Sequence, residues 1–307
     1  MFTPVETVVG AAFMHIGTTS LLFSTGSVLG CSGILGNLTD EKNLPTFAGV
    51  ILSALATKFL LPGLAPNFPP VAAPWVSAVS GLLVGAGTKL ANGCTSGHML
   101  CGIPRGSLRS FIATLIFFPV AVLTTRVLDT APSCLNGSCS TLSLPSTSQI
   151  QGMALALVLA SGGATLVKKL KNPTVARVFS GFVFGCGLVL TGMAGPAKTL
   201  GFLAFGDWAK WDPSMALLAI VALSGNAVAW YGKVGKEKLW CEGEKWTVSV
   251  RRDVDWRLVL GSALFGVGWG LSGICPGPGA MGLVWNGLEG LKWAVTFQIG
   301  RKLMERL

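Results

Sequence analysis

Charge is what this sequence has least of. Only 12% of its 307 residues are Asp, Glu, Lys or Arg, where soluble domains carry about 25%. With a mean hydropathy of +0.63 and 51% hydrophobic residues, that scarcity excludes a soluble globular protein. Histidine is almost missing (two residues), and no CxxC pair occurs. The usual zinc spacings are therefore excluded, and neither metal nor cofactor is expected. No basic segment precedes the first apolar run at Met1–Glu6, so no cleavable signal peptide is expected. A nucleotide-binding motif is also missing, which argues for passive, relay-like work over ATP-driven work.

Long apolar runs and glycine are plentiful. A crossing needs about 20 residues, and runs of that order lie near 5–24, 44–62, 75–91, 105–128, 149–167, 175–194, 212–232, 256–274 and 290–306. Nine transmembrane helices are expected. The 41 glycines suit helices that pack closely in a bilayer. A net charge of +10 could suggest nucleic acid, but the basic residues sit in short connections between apolar runs, where membrane topology places them. No nucleic-acid partner is expected; the lipid bilayer is.

Those connections orient the chain. Residues 168–177 hold four basic side chains and no acid, 233–257 hold seven basic against five acidic, and Arg301, Lys302 and Arg306 close the chain. All three regions read as cytoplasmic. The N-terminus and the stretch 129–148, which has no basic residue, then lie outside, and the expected host is the plasma membrane. Cys134 and Cys139 in that stretch either pair, as an oxidising compartment permits, or remain two free thiols. Asn136-Gly137-Ser138 is a glycosylation sequon of use only in a eukaryotic lumen. The charged, aromatic segment Glu237–Trp246 reads as a solvated loop, and Trp75, Trp256 and Trp293 as interfacial anchors.

A pattern recurs four times. Gly26, Gly185 and Gly266 are each followed after five residues by Ser32-Gly33, Thr191-Gly192 and Ser272-Gly273, and Gly85 after six by Asn92-Gly93. Gly85-x-Gly87 also precedes Cys94 by the spacing with which Gly266-x-Gly268 precedes Cys275. Two copies fall in each half, and an odd number of helices between them inverts the second half. The expected domains are a first repeat over 1–128, an extracytoplasmic linker over 129–148, a connecting helix with a cytoplasmic loop over 149–174, and a second, inverted repeat over 175–307. Broken helices in inverted repeats, meeting near the midplane, are the sequence mark of a transporter's substrate site. Glycines serving packing alone are the bland account, but packing does not call for the prolines and thiols beside them.

Each break has chemistry suited to an anion. Cys275-Pro276-Gly277-Pro278 cannot continue a helix, and a half-helix restarting there presents free N–H groups. Thr95, Ser96, Gly97 and His98 follow Cys94 with hydroxyl and imidazole donors, and Lys198 stands close behind Gly195-Pro196. Cys31 lies at the first break. A thiol is a weak, polarisable donor, able to contact a sulfur-bearing ion and release it. Buried cysteine is otherwise an ordinary small hydrophobe, the preferred reading for Cys186. Lys89, one turn before Cys94, is a suspect by its depth alone.

Asn92-Gly93-Cys94-Thr95-Ser96-Gly97-His98, with Cys101-Gly102 and Arg105, resembles the YeeE/YedE sulfur-transport family. Pro196-Ala197-Lys198-Thr199-Leu200-Gly201 and Gly268-Trp269-Gly270-Leu271-Ser272-Gly273-Ile274-Cys275-Pro276 are similar to the companion subunit of its two-component members. The chain looks like a fused form. That resemblance implies transport of thiosulfate or a related sulfur anion by cysteines at the pore's midline, here Cys94 and Cys275. It also implies a transporter rather than an enzyme. Thiosulfate-transporting members carry an Arg-x-Cys at the first motif; this chain has Leu29-Gly30-Cys31. The substrate-binding set is therefore Cys94, Cys275, Cys31, Thr95, Ser96, Gly97, His98, Pro276, Gly277 and Lys198, with a cytosolic sulfur-carrier protein as candidate partner. The rival reading is a membrane thiol redox or sulfur-transfer protein acting on sulfide or persulfide.

Overall fold

The computed structural model describes residues 2–66, 73, 75–134, 138–249 and 251–306. Twelve α-helices and one π-helical segment run through them: α1 (Pro4–Thr25), α2 (Cys31–Gly36), α3 (Asn43–Leu60), α4 (Trp75–Ala91), the π segment (Thr95–Gly102), α5 (Leu108–Val127), α6 (Thr147–Leu170), α7 (Pro173–Leu190), α8 (Pro196–Leu203), α9 (Ser214–Lys233), α10 (Trp256–Ser272), α11 (Pro276–Trp285) and α12 (Gly287–Leu303). No strand occurs among the described residues. On either side of α6 the order is the same: long, short, two long, short, long.

Seven stretches are long and apolar enough to cross a membrane: α1, α3, α5, α6, α7, α9 and the run from α10 through α11. Two expected spans fall short of that measure. The α4 helix is apolar but has 17 residues, and the 17-residue α12 carries Glu289, Lys292, Arg301 and Lys302. The outer faces are greasy. Leu115, Leu123, Leu155, Val158, Ile220 and Val228 are all more than half exposed, as residues facing lipid must be in a fold whose backbone groups are satisfied within each helix.

Glycine contacts fix the helix directions. A Cβ at Gly10 would meet Thr191, and one at Gly17 would meet Ser180 and Phe184, so α1 and α7 run antiparallel. Gly87 lies on Gly261 and Phe265 while Gly268 lies on Ser80 and Val84, so α4 and α10 are antiparallel too. By contrast α3 runs parallel to α7, α4 to α12 and α5 to α10. These contacts interchange when each half is mapped on the other: α3 packs on α7 as α9 packs on α1, and α12 on α4 as α5 on α10.

The two faces of the bundle differ. On the face of the N-terminus, Phe2 exchanges backbone hydrogen bonds with Thr141 and Ser143, and Cys134 is disulfide-bonded to Cys139. Asn136 and Gly137 of the sequon lie outside the described residues. On the face of the C-terminus, residues 238–249 and 251–255 form a loop, largely exposed as expected, but one fastened to the bundle at several points. Trp240 and Cys241 donate to the carbonyls of Phe23 and Ser24, and Thr247 to that of Gly26. Glu244 pairs at 2.5 Å with Arg177 in a nearly buried ion pair. Composition marked this stretch as polar but could not show that its charges have partners elsewhere. Trp293 is also corrected: it is buried, stacked on Phe297 and pressed against Gly279, whereas Trp75 and Trp256 are exposed.

Candidate functional site

Each half-bundle is broken twice, and each long helix before a break stops on a left-handed residue: Gly26, Asn92, Gly192 and Gly273, with φ of 68, 58, 74 and 70°. Gly273 has a second reason to lack a side chain, because a Cβ there would lie 2.7 Å from the Pro196 carbonyl oxygen. The structural equivalent of Gly192 and Gly273 in the first copy is thus Gly26 and not Gly33, which places the first sequence match out of register. Beyond each stop the chain extends and a short helix begins. Cys94 caps the π segment and Cys275 caps α11, each two residues past its stop, while Cys31 is the first residue of α2 and Gly195 caps α8.

The four breaks meet. Cys31, Cys94 and Cys275 line one cavity with Thr95, Ser96, Gly277 and Pro278, closed on the third-break side by Met193. The Cys31 amide donates to Ser96 Oγ at 3.0 Å, and Ser96 Oγ lies 3.3 Å from Cys94 Sγ. Cys275 lines the same space beside Thr95 and Gly277, and a Cβ on Gly277 would lie 3.3 Å from Cys31 Sγ. Met14, Met99, Leu188 and Phe184 complete the wall. Three thiols and three thioethers therefore face a space of about 20 Å³, room for one water-sized sphere.

Larger spaces open on both sides. On the face of the C-terminus a vestibule of about 750 Å³ is walled by Gly30, Ser32, Gly97 and a set of basic side chains. On the face of the N-terminus one of about 490 Å³ is walled by Gly192, Gly195, Lys198, Asp212 and the Cys134–Cys139 disulfide.

Of the expected site residues, Cys31, Cys94, Cys275, Thr95, Ser96 and Gly277 are brought together, and Pro276 lies directly beneath them as the first residue of α11. Gly97 and His98 face the basic vestibule instead. The Ala91 carbonyl, 3.2 Å from His98 Nε2, can only accept, so Nε2 carries the proton and Nδ1 accepts from the Ser110 hydroxyl at 3.1 Å. Both nitrogens are engaged, and the ring fills the space a Cβ on Gly93 would need (2.6 Å from Nε2). Its observed role is to tie α4, the π segment and α5. Lys198 is likewise away from the thiols, paired with Asp212 at 3.1 Å and with the Thr3 hydroxyl at 2.6 Å. Lys89 pairs with Glu305, and Cys101, within the π segment, turns its thiol toward the Leu29 carbonyl. The three methionines were not singled out from the sequence, since single thioethers on α1, the π segment and the third break share no spacing. Among the described residues no metal-binding cluster occurs.

Two family profiles match: one described as "Sulphur transport" over residues 4–123, and one of a family of unknown function, DUF6691, over residues 173–307. A "Probable transporter" of Xylella fastidiosa strain Temecula1 is 40% identical over 117 residues, covering 36% of this chain and 84% of the relative. Another protein so named, from strain 9a5c, is 40% identical over 101 residues, 32% of this chain and 66% of the relative. With its apolar helices and twice-broken halves, the chain belongs to the YeeE/YedE sulfur-transport family and is a sulfur-related integral membrane transporter.

Proposed function

We propose that this protein takes up a small sulfur-containing anion, thiosulfate first, by passing it through the three-thiol constriction between the two vestibules. The observation that carries the reading is the convergence of Cys31, Cys94 and Cys275, from three separate breaks, on one space, with chain neighbours of its wall lining a larger space toward each face. Weak thiol and hydroxyl donors in series suit release as well as binding, and six sulfur atoms suit a sulfur ligand better than chloride or phosphate. Because the space holds about one water, the anion passes only when the short helices move apart. The mutually antiparallel pairs α1–α7 and α4–α10 support the division into inverted repeats over 1–128 and 175–307, joined through α6. A disulfide on the face of the N-terminus supports that face as the outside, and the basic residues of 233–257 and of the C-terminus support the other as cytoplasmic, with the plasma membrane as host. A cytosolic sulfur carrier would then receive the product at the basic vestibule.

The test is uptake of radiolabelled thiosulfate into proteoliposomes, with sulfate, sulfite and sulfide as competitors. Cys94→Ala and Cys275→Ala should each abolish uptake without loss of folded protein. Wild-type uptake by either variant would end the proposal. Covalent chemistry between thiols so close is the competing account, and a persulfide or mixed disulfide trapped on Cys94 by intact mass would favour it.

A further inference from the structure

Six cationic side chains line the vestibule on the face of the C-terminus, against two carboxylates. Most of the six are already committed. Lys89 pairs with Glu305, Arg109 with Asp253 and Asp255, and Arg251 with the same two acids. Arg257 has an interaction of its own. Arg105 and Arg301 differ, having no ion-pair partner among the described residues. Arg105 spends one Nη on the Ser249 carbonyl at 3.1 Å, and Arg301 stacks over Phe297. In both, Nε is buried with no hydrogen-bond partner in the protein.

Their placement relates them to the thiols. The Arg301 guanidinium presses on Gly36, the last residue of the short helix that begins with Cys31. The vestibule wall they share also includes Gly30, Ser32 and Gly97, next in sequence to Cys31 and Ser96. The Nε atoms are covered by protein, so what each side chain can offer the vestibule it lines is its terminal amines, and a planar guanidinium fork matches the oxygens of a tetrahedral oxyanion.

We infer that Arg301 and Arg105 form a binding site for a doubly charged tetrahedral oxyanion in this vestibule, one step from the thiols. As the site of thiosulfate emerging from the constriction it deepens the proposed function and rests on that reading; as an oxyanion site it does not need passage. Glu305, held by Lys89, is the nearby opposing charge and keeps binding weak enough for release. Since the arginines read oxygens and not the terminal sulfur, sulfate should bind as thiosulfate does.

The experiment is calorimetric titration of the purified full-length protein in detergent with sodium thiosulfate and, separately, sodium sulfate. Arg301→Met and Arg105→Met should each weaken both anions at least tenfold, Arg301→Lys should retain part of the affinity, and Lys302→Met, on the exposed side of α12, should match wild type. If Arg301→Met does not fold, Arg301→Lys and Arg105→Met decide the matter. No binding of either anion by wild type, or unchanged affinity in folded Arg301→Met or Arg105→Met, overturns the site. Arginine-dependent sulfate binding by a protein that takes up nothing would sink the transport reading and leave the site standing.

Discussion

Adding one methyl group at Gly277 should separate passage from folding. Gly277 is the second residue of α11, and a Cβ there would lie 3.1 Å from Leu188 Cδ1 and 3.3 Å from Cys31 Sγ. Both neighbours are side chains that can yield by a few tenths of an ångström. Replacing a helical glycine by alanine returns up to about 1 kcal/mol, which offsets that adjustment, so the thermal midpoint should move by less than about 3 °C. The open space in the constriction is only about 20 Å³, and the new methyl intrudes at the contact between the fourth break and Cys31. A barrier raised by about 1.4 kcal/mol is enough for a tenfold loss, and Gly277→Ala should lose at least that in proteoliposome uptake. Two alanine variants bracket it. Gly152→Ala on α6, with open space around it, should behave as wild type, and Gly279→Ala, which would drive a Cβ into the Trp293 ring, should unfold. Full uptake by well-folded Gly277→Ala would refute the claim that the anion passes between Gly277 and Cys31.

Other expectations follow from the same geometry. Glu244→Ala strands Arg177, whose side chain is 8% exposed, and should cost about 3–5 kcal/mol; thermal unfolding in detergent should show a lower midpoint, largely restored by adding Arg177→Met. His98→Ala leaves the Ala91 carbonyl and Ser110 hydroxyl without their ring partner and should cost about 1–3 kcal/mol, read as earlier unfolding. Arg251 holds the Asp253 carboxyl below the usual carboxylate range. Its contribution to anchoring that loop is therefore complete above about pH 4 and is lost as pH falls through the lowered value. Limited proteolysis at 238–255 should rise only in that acidic window.

Much of this architecture was readable because a bilayer leaves few options. Long apolar runs mark the helices to within a few residues, and glycine clusters, joined by proline in the third and fourth, mark the breaks. Cys94 and Cys275 stood out because each follows the same paired glycines. Other features were hidden for identifiable reasons. Hydropathy overrated α12, whose charges sit at its two ends. The first repeat was aligned on Gly33 because a Ser-Gly pair there imitates Ser272-Gly273, while the chain turns at Gly26. His98 looked like a free donor because its partners, Ala91 and Ser110, lie on two other helices. Trp293 reads like an interfacial tryptophan until Gly279 is seen to be its seat. The pairings of Arg177 and Arg109 join segments far apart in sequence, and no local pattern announces such contacts.

The α6 helix has a role different from every other. Only Met153, Ala160 and Val167 of its 24 residues are buried, and none of it touches the thiols or either vestibule. If α12 and α4 cross, each half makes four crossings, and two such halves joined directly would insert the same way up. On the proposed inverted arrangement, one extra crossing turns the second half over. The helix would then be a hinge pin in the gene rather than a part of the machine, and a chain severed on both sides of it should reassemble from the two halves with α6 as a separate third piece.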